Sequence, residues 1–472
     1  MTKRFLAFFL SVLTLISLPL GAYAEPLKGF DPGIENVSSY QEAVFLSGRP
    51  VIMSGTVRTT VRDRDDQRTE TYRFELSDPA TGDTLSRNLS LRTSIEDTGD
   101  QLIERTEVAT FKESITIEGT TYEADLDTSE FTQSIVTQIK PAVDYFSGNM
   151  SFRKRYTSDD EDNITIQMEG TTVGYEQAWG ATETRTMDYH VSSNRSNGPS
   201  GTYSVMSSHN ITRDLEYIPN QPTQISFRGG YMISEKEESK IQYNYDMNGR
   251  RGNNSFTLGN NPTFERLYVS NLRDMGGHWA QESVSLLASL GAIEPKAMYF
   301  GPSLPMSRAE FAKAVAVASD IAEEMQTSTR RRTVEPALFF DTEVEDENYR
   351  YIKTVATKGI MSGVGENRFE PDGHLTKAQA ATIMINALGF SGLAPTGAYM
   401  TGFRDDYAIP FWARDSVYLA REIGLASGTA NNYFQPDKTL TRAEAAALLH
   451  NYIMYLTYEM REDYRERILN YY

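Results

Sequence analysis

Cysteine is absent from all 472 residues, which excludes disulfides, a thiolate metal site, a cysteine nucleophile and a lipid-modified cysteine anchor. Histidine is scarce. His190, His209, His278, His374 and His450 are the whole set, and they form no His-Glu-x-x-His or similar close metal pair. The chain also lacks a Gly-x-Ser-x-Gly elbow, a phosphate-binding glycine loop and a dinucleotide fingerprint, so no cofactor, metal or catalytic motif is expected. Beyond residue 24 no run approaches the roughly 20 apolar residues a spanning helix needs. Positive charge is short too: 46 basic residues face 64 acidic ones, a formal charge of −18. That balance favours solubility and argues against nucleic acid or an anionic bilayer as partner. Because salt screens charges beyond about 8 Å, it leaves room for local cation clusters.

What is present begins with an export signal. Lys3 and Arg4 precede an apolar run from Phe5, and Ala22-Tyr23-Ala24 supplies a small-x-small cleavage site before Glu25, so residues 1–24 are expected to be removed. The mature chain would carry −20, once Lys3 and Arg4 leave, and have no membrane partner. The last residues, Arg467 to Tyr472, carry no sorting-type tail of apolar then basic residues. An exported chain with no covalent or membrane tether either diffuses away or holds the surface noncovalently.

The character of the sequence changes near Pro262. From about Asn36 to Leu258 it alternates apolar and polar residues, as in "GTVRTTVR", "ETYRFELS" and "IQYNYDMNG", with turn signals such as "DPATGD", "SDDEDN" and "NRSNGPSG" between runs. About a dozen short strands are expected in residues 25–262, an all-β antiparallel domain built as a curved sheet, sandwich or barrel. The acidic run Asp159-Asp160-Glu161-Asp162-Asn163 lacks the spacing of a calcium loop and reads as a solvated turn. Tyr175 and Trp179 could line a sugar or peptide cleft, although aromatics in β domains more commonly pack in the core or across strands. A catalytic carboxylate pair would leave no signature, since its members meet only in three dimensions.

After Pro262 the sequence is helical and repeats itself three times. Phe300-Gly301-Pro302, Phe369-Glu370-Pro371 and Phe434-Gln435-Pro436 each stand seven residues ahead of a capped helix start, at Ser307, Thr376 and Thr441. An upstream helical run ends at Gly291, Gly359 or Gly424, each a candidate left-handed stop. The second helices open on "SRAE", "TKAQ" and "TRAE", capping-box patterns with a cation at the first helical position. Arg308, Lys377 and Arg442 thus sit where exposed N–H groups and the helix dipole favour negative charge by roughly 0.3–1 kcal/mol. One misfit is unremarkable, whereas three in register call for a reason. The units fall at residues 263–325, 338–390 and 401–457, followed by a helical extension over 458–472 in which Met460, Tyr464, Ile468 and Leu469 share a face expected to pack on the repeats. Each apolar helix face is too exposed alone, so the three units should share one core.

These motifs, over about Phe264 to Leu456, closely resemble S-layer homology repeats. The resemblance implies an all-α pseudo-threefold trio of helical hairpins whose grooves bind secondary cell-wall polysaccharide, typically bearing ketal-linked pyruvate. It implies further that the basic residue of the TRAE-like motif contacts the ligand, which here means Arg308, Lys377 and Arg442. Trp279 and Trp412 each stand twelve residues before the Gly stop, while the middle copy has Glu347 there. Buried packing at the hairpin base is the plainer expectation for both Trp residues, and a stacking contribution to the groove is the sharper one. Lys377 acts as a point charge where Arg grips bidentately, so the grooves need not be equivalent.

The sequence therefore reads as a secreted, noncatalytic cell-surface protein, a β-rich domain held to the wall by three S-layer homology repeats. A wall-anchored glycan hydrolase and a self-assembling S-layer subunit are the alternatives. An outer-membrane barrel fits poorly, because the expected strands carry charges on both faces.

Overall fold

The computed structural model describes residues 27–64, 66–158, 163–220, 229–321 and 336–460. The export signal over 1–24, the acidic residues Asp159 to Asp162, most of the linker after the first repeat, and Tyr464, Ile468 and Leu469 of the C-terminal extension lie outside the described residues.

Fifteen strands form one antiparallel sheet. The first seven are β1 (Gly33–Glu35), β2 (Tyr40–Val44), β3 (Val51–Arg64), β4 (Gln67–Ser77), β5 (Thr84–Asp97), β6 (Gln101–Ile117) and β7 (Thr120–Asp125). The remainder are β8 (Glu130–Ile139), β9 (Val143–Ser158), β10 (Asn163–Gln177), β11 (Gly180–Ser193), β12 (Gly201–Ile218), β13 (Gly230–Met247), β14 (Arg250–Gly259) and β15 (Thr263–Arg266). Almost every strand pairs with its sequence neighbour, as short polar turns dictate, except that β7 and β8 share one place between β6 and β9. Of the three architectures left open, the chain adopts the curved sheet with barrel-like closure. β1 lies against β12 to β14, and the ends are tied by Asn36 Nδ2 donating to the Gly259 carbonyl (3.3 Å) and Val37 N–H donating to Asn260 Oδ1 (3.1 Å). The sheet also runs past Pro262, because β15 pairs with β13, so the strand-to-helix boundary falls after Arg266.

Alternation decides the faces: on β5, Leu85, Arg87, Leu89 and Leu91 point inward, while Asn88 and Arg92 are exposed. The inside holds an aromatic core, including Phe74, Phe111, Phe152, Tyr189 and Tyr203, and also a buried ionic network. Arg87 pairs with Glu42 (2.7 Å) and Glu113 (2.5 Å), and Lys154 donates to Asp31 (2.6 Å) and Glu113 (3.2 Å). Burial alone would raise the Glu113 pKa, but the two cations and the Tyr156 hydroxyl outweigh it and hold it at about 2. The segment from Leu27 to Asp31 is threaded through this interior. The Leu27 N–H donates to Glu183 Oε2, Arg185 donates to the Gly29 carbonyl, and the Phe30 ring is fully buried.

Six helices follow: α1 (Gln281–Ser289), α2 (Arg308–Ala318), α3 (Tyr349–Thr357), α4 (Lys377–Leu388), α5 (Phe411–Glu422) and α6 (Arg442–Met454), the last continuing into a π-turn over Tyr455–Glu459. The signals read from the sequence operate as expected. Ser307–Glu310, Thr376–Gln379 and Thr441–Glu444 each form a reciprocal capping box, and Gly291, Gly359 and Gly424 adopt φ of 76°, 69° and 74°, the left-handed region that stops a helix. The most extensive helix contacts run between repeats: α2 on α3, α4 on α5, and α6 back on α1. The trio is therefore a closed ring of exchanged contacts around one Ala-rich core.

That core continues into the sheet. The C-terminal ends of the three second helices, whose last carbonyls lack helical donors, face the turns joining β8 to β9 and β10 to β11. Trp179 Nε1 donates to the Ala318 carbonyl (2.9 Å), the Ala142 N–H to Ala387 (2.9 Å), and Gln177 Nε2 to Leu456 beyond α6 (2.6 Å). Tyr175 and Trp179 are buried in this seam and do not line a cleft. Met460 is buried too, but it meets Tyr145 of the sheet, because the π-turn carries the chain past the repeats to the seam.

Candidate functional site

Since the second helices point their C-termini at the sheet, their capped N-termini gather at the far end of the ring, about 16–20 Å away for helices of this length. Three backbone bonds join the repeats there in a cycle. Met306 N–H donates to Leu440 O (3.0 Å), Leu440 N–H to Leu375 O (2.9 Å), and Leu375 N–H to Met306 O (3.3 Å). These residues stand one position before each cap, so the cycle marks the pseudo-threefold axis.

The three cations cross from one repeat to the next around this axis. Arg308 lies over the Phe369 ring of the second repeat, Lys377 over Phe434 of the third, and Arg442 over Phe300 of the first, at 4.8, 4.8 and 4.7 Å from the ring centroids. Such contacts contribute about 0.5–2 kcal/mol depending on desolvation. The structure thus brings Arg308, Lys377 and Arg442 to equivalent places at one end of the molecule.

The Phe-x-Pro loops are shaped to receive them. Gly301, Glu370 and Gln435 have φ of 71°, 56° and 61°, a strained conformation for Glu and Gln. An aspartate in each repeat holds the loop: Asp274 accepts from the Phe300 and Gly301 N–H groups, Asp341 from Phe369 and Glu370, and Asp405 from Phe434 and Gln435, at 2.7–3.0 Å. For Asp274 and Asp341 burial pushes the pKa up, but these N–H bonds prevail and lower it. Sequence reasoning missed these aspartates. Their signal is weak but real, an apolar residue two positions earlier (Leu272, Phe339, Phe403) and a Phe-x-Pro 26 to 29 residues later.

The junctions differ chemically. Arg308 is buried, its Nε donating to the Phe369 carbonyl (2.7 Å) and its Nη2 to Ser362 O (2.8 Å). Lys377 is half-buried and donates to Ser427 O (2.7 Å). Burial lowers the pKa of both, helped at Lys377 by Lys438. Arg442 is half-buried and pairs with Glu310 at 3.1 Å, yet its Nε, buried, has no acceptor among the described residues. An unmade bond of that kind costs about 1–3 kcal/mol.

The two Trp residues depart from the plainer expectation. Trp279 is 66% exposed and Trp412 56% exposed. They sit at the starts of α1 and α5, before the helix enters the core, so their rings project outward. Exposed Tyr407 and Phe411 accompany Trp412.

The S-layer homology domain family matches residues 271–312, 342–381 and 402–446. The chain carries three S-layer homology domains. Similar curated proteins include an amylopullulanase of Thermoanaerobacterium thermosulfurigenes, 28% identical over 39% of this chain and 9% of the relative. An exoglucanase of Acetivibrio thermocellus is 28% identical over 38% of this chain and 16% of its own length. S-layer protein EA1 of Bacillus anthracis is 27% identical over 37% and 19%. The chain thus spans under a fifth of each of these relatives, and the enzymes among them match it in the S-layer homology region only. No described helix is long and apolar enough to cross a membrane.

Proposed function

We propose that the three S-layer homology domains anchor this chain noncovalently to the bacterial cell wall by binding anionic secondary cell-wall polysaccharide at the inter-repeat junctions, with ketal-linked pyruvate as the acidic group. The β-rich domain is then the noncatalytic cargo displayed at the cell surface. The observation that carries the reading is the unsatisfied Arg442 Nε beside the capped start of α6. The first-turn N–H groups of α6 are already taken, Arg442 N–H by the Leu304 carbonyl and Ala443 N–H by that of Pro302. A sugar carboxylate would therefore be held by the guanidinium itself, aided by the positive end of the dipole. Lys377, half-buried at the equivalent place, offers a second point of attachment, and Arg308, committed to two carbonyls, the weakest. Trp279 and Trp412 provide exposed faces on which sugar rings can stack.

Sedimentation of the purified mature chain with cell walls tests this. Arg442→Ala and Lys377→Ala should each weaken co-sedimentation, and replacing all three cations should abolish it while circular dichroism remains unchanged. Removing pyruvate from the walls by mild acid should have the same effect on the native chain. Undiminished binding of the triple variant would refute the cation assignment, and undiminished binding to depyruvylated walls would refute the ligand. Release of fragments from glycans or peptidoglycan by the chain would overturn the noncatalytic cargo.

A further inference from the structure

The outer face of the sheet carries a feature the anchoring role does not use. In a chain of formal charge −18, the β3–β4 hairpin presents Arg58, Arg62 and Arg73 around an open trough of about 390 Å³, floored by Thr60, Thr69 and Thr71. The register sets Arg58 directly opposite Arg73, a like-charge pair that costs stability on a sheet. Arg62 lies across from Thr69, and Thr69 from Arg92 on β5. All four arginines are exposed, and among the described residues none is in salt-bridge contact with a carboxylate. Glu107 stands opposite Arg92 in the register, and Glu75, two residues from Arg73, is bonded to Ser86, so the charge around Arg58, Arg62 and Arg73 stays uncompensated.

The order of these residues is what gives the trough its chemistry. Positions on one face repeat every two residues, so Arg58 and Arg62 lie about 13 Å apart along the strand, with Thr60 between them. Reading across the strands, the Arg58–Arg73 row and the Arg62–Thr69–Arg92 row flank a row of hydroxyls, Thr60, Thr71 and Ser90, in which Thr71 and Ser90 are bonded at 3.2 Å. No aromatic ring lines the trough. Base stacking, the usual grip on single-stranded nucleic acid, has no platform there.

We infer that this face is a second glycan-binding surface, independent of the repeats, which takes an acidic polysaccharide laid across β3 to β5 with its hydroxyls on the central row and its carboxylates on the flanking arginines. Arginine grips a carboxylate bidentately, and a ligand that bridges Arg58 and Arg73 relieves their repulsion. The surface lies on the β-rich domain, away from the seam residues of β9 and β10, so it could engage a glycan while the repeats hold the wall.

Polygalacturonate, a linear uronic-acid polymer, serves as the probe, with the mature full chain in affinity electrophoresis at 50 and 300 mM salt. The native chain should be retarded, strongly at low salt and weakly at high. The double variant Arg58→Ser/Arg73→Ser should lose at least tenfold in affinity, as should Arg62→Ser/Arg92→Ser, with circular dichroism unchanged because all four residues are exposed. Lys377→Ala/Arg442→Ala should leave the retardation intact, which separates this surface from the anchoring site. Retardation abolished by the repeat variant and kept by the arginine variants would overturn the inference, as would no retardation at all. Equal, arginine-dependent retardation by single-stranded DNA would show a general polyanion surface and overturn the glycan assignment.

Discussion

The sheet and the repeats fill their interiors in opposite ways. Inside the curled sheet, Arg87, Lys154, Glu42, Glu113 and Asp31 are locked together among aromatic rings, and the N-terminal segment is drawn in to complete them. Inside the repeats the core is an apolar cluster rich in small side chains, with Ala312, Ala381 and Ala446 among its members. A curled sheet encloses a volume its own side chains cannot close simply, so long charged residues bridge it, and each charge then depends on every other. Helices brought together by a threefold repeat leave little volume, and small side chains suffice.

The largest test of this contrast removes one charge from the sheet. Glu113→Ala should destabilise the protein by about 3–5 kcal/mol, because Arg87 and Lys154 are left buried and uncompensated. Chemical denaturation followed by aromatic fluorescence measures it. A volume-matched apolar replacement of Arg87, Glu42, Glu113, Lys154 and Asp31 together should cost far less, because no charge is left without its partner. If the single substitution is as mild as the fivefold one, the network is not interdependent.

In the repeats the comparable loss is a ring. Phe434→Ala removes a fully buried side chain under Lys377 and should cost about 3–5 kcal/mol. It should loosen the second and third repeats before the sheet, which hydrogen exchange can resolve.

The seam between the two regions should respond to pH. Glu176, opposite Asp144 in the register of β9 and β10, has its pKa pushed up to about 7, first by burial and then by that carboxylate. A carboxyl whose folded pKa exceeds its unfolded value of about 4.3 weakens the fold as pH rises between the two. Stability should thus fall from pH 5 to pH 8, and Glu176→Gln should flatten that dependence and stabilise the protein at pH 8. Asp274 and Asp341 act in the other direction. Their lowered pKa values contribute stability above the unfolded value near 3.9 that is lost as pH falls through the folded one. Acid should therefore open the Phe-x-Pro loops while Glu113, at about 2, still holds the sheet.

The smallest expected effect is local. Thr376→Ala removes one half of a capping box and should cost about 1 kcal/mol, read as a small drop in denaturation midpoint with wall binding retained.

The capping boxes and glycine stops were legible because cap and partner lie three residues apart and the backbone geometry they require is local. The strands were legible from alternation, though β15 was hidden in four residues beyond a proline that looked like a boundary. Asp274, Asp341 and Asp405 escaped notice because each acts on a loop 26 to 29 residues away. The fates of Trp179, buried at the seam, and Trp279, exposed, depend on which surface meets which, and neither is written in the neighbouring residues.

By itself, then, the sequence determined the two-part construction, the threefold repetition and the placing of a cation at each second helix start, since all of these rest on short-range spacing and period. Only the tertiary structure decided that each cation would serve the next repeat's phenylalanine, that Arg308 would be spent on carbonyls while Arg442 kept an unmet donor, and that five charges would meet inside the sheet. Those outcomes depend on contacts between residues dozens of positions apart, and it is the closing of the ring and the curl of the sheet that bring them within bonding distance.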